Sequence, residues 1–281
     1  MRKIIFKYLL DNSKKQDKER LYSYLEDVEK NNLSFLPSLK KKLDVKDFLL
    51  NDLIDTVHYS WFLPIMKIYP EDEANLFLLS LNKEQKKSIQ KNLNIKANED
   101  VLNKEAKFFF KSLLLKSLIK KEDSLLPLDY LPDSEMNILL NFTKAKLVDL
   151  IDLMSMYDLA KELKMVVMTS SLKKIHSYLS EREKIILKKA NEYKDPINSK
   201  NLMLERYLDD KAMFRSALHK RGLVRLSLAL SLENIDLIWY ICHYLDIGRG
   251  SFIFNESKKN KNPNIATVLK KQVLDIVKTF K

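Results

Sequence analysis

The chain has 281 residues, 46% of them apolar, which suffices for one large or two modest domains and makes intrinsic disorder an unsuitable reading. Three glycines and seven prolines are too few breakers for a turn-rich sheet protein, and a single cysteine excludes an intramolecular disulfide or a multi-cysteine zinc cluster. The net charge of +12 would suit nucleic acid, an anionic membrane or an acidic protein, yet lysine outnumbers arginine 42 to 8 and is scattered as on a solvated surface.

In chain order, "MRKIIFKYLLDNSKK" (1–15) starts like a signal peptide, but Lys7 interrupts its apolar stretch and no small-residue cleavage site follows. "NDLIDTVHYSWFL" (51–63) reads as a helix with His58 and Trp61 about one turn apart. Asp55 falls three residues before His58, a spacing that could pair them, and Pro64 is expected to kink or end the helix. Pro70 followed by Glu71, Asp72 and Glu73 opens a helix over 70–81. Asn82 and Gln85 form a capping box for 82–93.

A third helix is predicted over 98–120. Within it, Phe108, Leu115 and Ile119 share one face and Phe110, Leu114 and Leu118 another, with Lys107 and Lys111 in a narrow margin, so burial on two sides is expected. The greasiest window, 108–119, is broken by lysines and falls short of the roughly 18 apolar residues of a membrane span. A soluble, cytoplasmic protein is expected. Pro127 and Pro132 make 127–135 the best domain boundary, giving subdomains 1–126 and 127–281.

The second half continues with helices over 144–163, 171–179 and 181–193. The first buries Leu147, Leu150, Ile151 and Met154, and the methionines at 154, 156, 165 and 168 suit adaptable core filler. Ser180 and Glu183 form a second capping box, and 193–201 is a second break. His176 and His219 stand among lysines and polar residues and read as surface. Short helices with short connections predict an all-α fold, an irregular multi-helix bundle or short helical-hairpin array in two packed subdomains.

"IWYICHYLDIGRG" (238–250) is the least ordinary stretch. Asn234 caps a helix with Asp236 in its first turn, and the apolar run to Ile247 is largely buried. Gly248 then suits a left-handed terminating residue and Arg249 the negative end of the helix dipole. Cys242 and His243 are adjacent and point about 100° apart on a helix, which suits neither a shared metal nor a nucleophile and its base. No catalytic residue, metal ligand or cofactor is expected.

Six of the eight arginines lie between Arg182 and Arg249. Because arginine forks onto carboxylates better than lysine, Arg206, Arg215, Lys220, Arg221, Arg225 and Arg249 are the candidate partner-binding residues. Pairing with Glu205, Asp209 and Asp210 within their own segment is the competing explanation.

Two blocks, 53–85 and 237–250, resemble the helical cytoplasmic components of type III secretion systems of the chlamydial kind, with short-helix modules in the style of flagellar motor-switch proteins. The resemblance implies a bacterial, non-enzymatic adaptor that joins secretion-apparatus proteins. The alternatives are a basic nucleic-acid-binding protein, or a secreted effector whose site gathers distant residues such as Asp55, His58 and His243.

Overall fold

The computed structural model describes residues 2–26, 29–30, 33, 51–95, 101–119, 125–193, 197, 202–259 and 261–280. Among these, every regular element is a helix, so the fold is all-α. In chain order the α-helices are α1 (Arg2–Asn12), α2 (Lys15–Ser23), α3 (Asn51–Thr56), α4 (Leu63–Met66), α5 (Glu71–Ser80), α6 (Lys83–Leu93) and α7 (Lys104–Leu118). There follow α8 (Lys144–Met154), α9 (Met156–Leu163), α10 (Thr169–Tyr178), α11 (Glu181–Ala190), α12 (Lys211–Leu230), α13 (Ile235–Tyr244), α14 (Ile247–Lys259) and α15 (Pro263–Val277). Short 3-10 turns occupy Tyr59–Trp61, Leu128–Tyr130, Glu135–Asn141, Leu204–Tyr207 and Lys278–Phe280. None of the described helices is long and apolar enough to cross a membrane.

The chain packs as two compact units, Met1–Ser134 with Asn234–Ile247, and Glu135–Glu233 with Gly248–Lys281. Helix α13 therefore belongs with residues more than a hundred positions earlier, where a linear division at residue 127 would put it in the second half. Tertiary hydrogen bonds are the reason. The Tyr240 hydroxyl donates to the Leu126 carbonyl at 2.6 Å, and the His58 amide donates to the His243 carbonyl at 2.8 Å.

In the first unit the helix starts expected at Pro70 and Asn82 are present. Asn82 accepts from the Gln85 amide at 2.9 Å, completing the capping box. The same Gln85 is buried, and its Nε2 donates to the Ile54 and Val57 carbonyls, each at 2.8 Å. Those are the carbonyls a longer α3 would have needed, so the helix stops at Thr56 rather than running to residue 63. Pro64 accordingly starts a helix, lying in the first turn of α4, where its missing N–H costs nothing.

Helix α7 buries one face, not two. Lys111, Leu114 and Leu115 are inside, whereas Phe108 and Phe109 are exposed. Lys111 can turn inward because Asp55 receives its ammonium at 2.8 and 3.0 Å. Asp55 is thereby engaged by α7 rather than paired with His58, whose Nδ1 instead lies 2.8 Å from the Ser60 hydroxyl.

The largest departure concerns residues 245–250. No glycine of the chain has a positive φ. Leu245 ends α13 in an extended conformation, φ −82° and ψ 164°, so the turn needs no left-handed residue. Gly248, Arg249 and Gly250 form the opening of α14, not the cap of α13. Ser60 Oγ receives the Ile247 amide at 2.8 Å, and Trp61 Nε1 donates to the Leu245 carbonyl at 2.9 Å. A cap supplied from residue 60 has no local signature. The helix 144–163 is likewise two helices, α8 and α9, broken at Ser155, whose hydroxyl donates to the Asp152 carbonyl at 2.6 Å.

The second unit is built around α12, which packs on α8 and α15. Its approach to α8 reaches backbone contact at Gly222, where a Cβ would lie 1.8 Å from the Ile151 carbonyl oxygen. Arg225, one turn further on, is fully buried, with 0% exposure, and lies with Asp158 of α9 and Gln272 of α15. Ser180 caps α11 as expected, its hydroxyl accepting from the Glu183 amide and the Glu183 carboxylate from the Ser180 amide.

Candidate partner-binding cleft

The six cationic residues singled out in the sequence do not share one exposed surface. Arg206 and Lys220 are exposed and Arg221 is half-buried. Arg225 is interior: its Nε and Nη2 donate to Asp158 at 3.0 and 2.9 Å, Nη1 donates to Gln272 at 3.2 Å, and the Tyr157 ring lies 5.6 Å from the guanidinium carbon. A charge removed from water this completely is held by its own fold and meets no partner.

Arg215 forks onto Glu183 of α11 and so joins two helices. Burial pushes the Glu183 carboxyl up, but the bonds from Arg215 and Ser180 together outweigh this and hold it below the usual carboxylate range. Substituting Arg215 by glutamate would face one carboxylate with another, so that variant reports on folding. Arg249 Nε donates to His219 Nε2 at 2.8 Å. An arginine can only donate, so the imidazole proton sits on Nδ1, which donates to Asp152 at 2.6 Å. His219, expected at the surface, is thus the middle of a three-residue chain. Asp209 pairs with Lys174 of α10, and Asp210 caps α12 by accepting from the Ala212 and Met213 amides. Pairing within the arginine-rich segment is therefore replaced by pairing between elements.

The stretch 238–250 supplies core. Cys242 is buried. The His243 ring lies between Trp61 and Trp239, with centroids 4.1 and 3.8 Å away, and its Nδ1 donates to the Trp239 carbonyl at 2.8 Å. Burial pushes this imidazole down to about 4, only partly offset by the carbonyl. An imidazole whose ordinary value is 6.5 takes up a proton on unfolding in the window between those values, so stability falls as pH falls from 6.5 to about 4. The expected loss is about 3 kcal/mol, read as the pH slope of urea unfolding and absent in His243→Leu. A flat profile would mean that the two indole faces hold the imidazolium.

What the second unit does present is a cleft of about 250 Å³ between the 162–168 connection, α10 and the 203–208 segment. Ile175 and Leu204, both buried, form its base. Met165, Val167, Met168 and Met203 stand around it with exposures of 53%, 93%, 65% and 54%. Helix α9 ends at Leu163, and the β-branched pair Val166–Val167 does not favour continuing it. The connection thus leaves the helical path with four apolar side chains over four positions, 165–168.

The opposite wall is set by Glu162. This residue is 6% exposed, and its Oε1 accepts the Leu202 amide at 2.9 Å. Leu202 and Leu204 both turn into the core, which forces Met203 between them into the left-handed region at φ 52°, ψ 56°. A non-glycine residue there costs on the order of 1 kcal/mol, and burial of its two neighbours maintains it. The result is a methionine side chain directed outward. The Tyr178 hydroxyl donating to the Leu208 carbonyl at 2.7 Å and the Lys174–Asp209 pair at 2.6 Å tie this segment to α10.

Met154 and Met156 are core filler as expected, while Met165 and Met168 are not. The available signal was the "MVVM" run itself, apolar residues placed just where the helical pattern lapses. Among the described residues no three His, Cys, Asp or Glu side chains come together as a metal site. Compared with known proteins, the chain matches no family model, no curated protein and no solved structure.

Proposed function

We propose that this protein is a non-enzymatic adaptor that binds another protein through the methionine-walled cleft of its second unit. The observation that carries the reading is the exposure of Met165, Val167, Met168 and Met203 around one concavity. Grouped exposed apolar side chains mark interaction surfaces, and unbranched methionines adapt to a partner's shape. Size also favours a protein. Small-molecule sites run to about 300–1,000 Å³, whereas about 250 Å³ accommodates one or two inserted side chains.

The narrower assignment, to a bacterial type III secretion apparatus, rests on the resemblance of 53–85 and 237–250. Those blocks supply Ile54, Val57, Phe62, Trp239 and Cys242 to the interior, so they bear on packing more than on partner choice.

The test places a photocrosslinking amino acid at position 168 or 203 in the organism that encodes the chain, with exposed Ile185 of α11 as control. A discrete adduct from 168 and 203, absent from 185 and abolished by Met165→Glu, is the expected result. Equal smears from all three positions, or none, would remove the reading. Recovery of a secretion-apparatus protein in that adduct would support the narrower assignment, and recovery of an unrelated protein would end it.

A further inference from the structure

We infer that the cleft takes a cationic, amphipathic segment of its partner, an inference that rests on the cleft being a protein-binding site. Its wall differs in charge from the molecule as a whole. The chain carries 50 lysines and arginines against 38 acids, yet the eleven residues around the cleft include Glu162 and Glu205 and no cation. Several other carboxylates in this unit have cations: Asp158 has Arg225, Glu183 has Arg215, Asp209 has Lys174 and Glu233 has Lys270.

The two cleft carboxylates have none among the described residues. Glu162 is almost wholly buried and receives one backbone amide, from Leu202. Among the described residues no cation reaches it, the circumstance in which a buried carboxylate gains most from an incoming cation. Glu205 lies on the same wall in the 204–207 turn and is exposed. A lysine or arginine side chain matches both features: its aliphatic stem lies along methionines and its head reaches the carboxylates. One flanking apolar residue would fill the base at Ile175 and Leu204.

This preference runs against the long-range field. At +12 the molecule attracts acidic peptides and repels basic ones, so a local liking for cations stands out from general electrostatics. The probes are two helical 18-residue peptides of leucine with lysine and of leucine with glutamate in the same positions. The readout is the set of methionine methyl signals of the full-length protein labelled with ¹³C at that group, nine in all, assigned by Met→Leu variants.

The lysine peptide is expected to shift the methyls of Met165, Met168 and Met203 and to bind about tenfold tighter at those signals than the glutamate peptide. Glu162→Gln should remove most of the difference, and Glu205→Gln, a substitution at an exposed position that leaves the fold intact, the remainder. If both peptides shift the three methyls equally, or Glu205→Gln and Glu162→Gln change nothing, the cleft binds proteins but the charge inference is wrong. If neither peptide moves those methyls, the cleft is not a docking site and both readings fall together.

Discussion

Asp158→Ala is expected to cost 3–5 kcal/mol of unfolding free energy, roughly what is lost when a buried ion pair is left with one member. Arg225 is fully buried, and its guanidinium spends two donors on Asp158 at 3.0 and 2.9 Å and one on Gln272 at 3.2 Å. Without the carboxylate, a permanent cation remains inside, next to the Gln272 amide oxygen and the Tyr157 ring. Lowering the pH cannot relieve it, because arginine does not deprotonate. The double substitution Asp158→Leu with Arg225→Met should recover most of the loss, since hydrophobic replacement of both partners is often neutral or better. Urea unfolding of the three variants decides this. A single variant within about 1 kcal/mol of the parent would mean that water reaches the guanidinium.

Gly222→Ala is the second large effect. A methyl group placed 1.8 Å from the Ile151 carbonyl oxygen cannot be accommodated by a rotamer change, because its obstacle is the backbone of α8. Helices α8 and α12 would have to separate, opening the layer that contains Leu150, Ile151, Leu223 and Leu226. Alanine normally stabilises a helix by roughly 1 kcal/mol over glycine, and here that gain is overwhelmed by overpacking of about 3 kcal/mol or more. Thermal unfolding should show a loss of several degrees confined to the unit that holds both helices. Gly248→Ala is the matched control, exposed at the start of α14, and there the change should be neutral or favourable.

These two positions illustrate how differently parts of the molecule were legible. Arg225 stands out in the sequence for its type and its crowding with other arginines, and both signals were correct as signs of strong carboxylate pairing. They could not say whether the carboxylate belonged to another molecule or to α9, sixty-seven positions earlier in the chain. Arg215 and Arg249 followed the same course, finding Glu183 and His219. Gly222 gave no sign at all. A glycine inside a helical run reads as a weak point, and its reason becomes visible only when the crossing helix is in place.

The cleft was legible in its residues and not in its exposure. Met165 and Met168 suit a core as well as a surface, since methionine's flexible side chain serves either. What turns them outward is the end of α9 at Leu163 and the Glu162–Leu202 bond, a contact spanning forty positions.

From its own chain order the sequence determined the fold class and several features that act within a turn or two. The all-α class follows from composition, the starts of α5, α6, α11 and α13 from Pro70, Asn82, Ser180 and Asn234, and the burial of Trp239 and Cys242 from apolar density. Tertiary structure decided where α3 ends, which charges are spent internally, and which apolar residues are left outside. The physical reason is one of reach. Helix propensity and caps are set by neighbours a few residues away, whereas a buried charge or a shortened helix depends on a donor or acceptor brought from a distant segment by folding. Gln85 beneath α3, Ser60 at the head of α14 and Asp158 against Arg225 are three such deliveries.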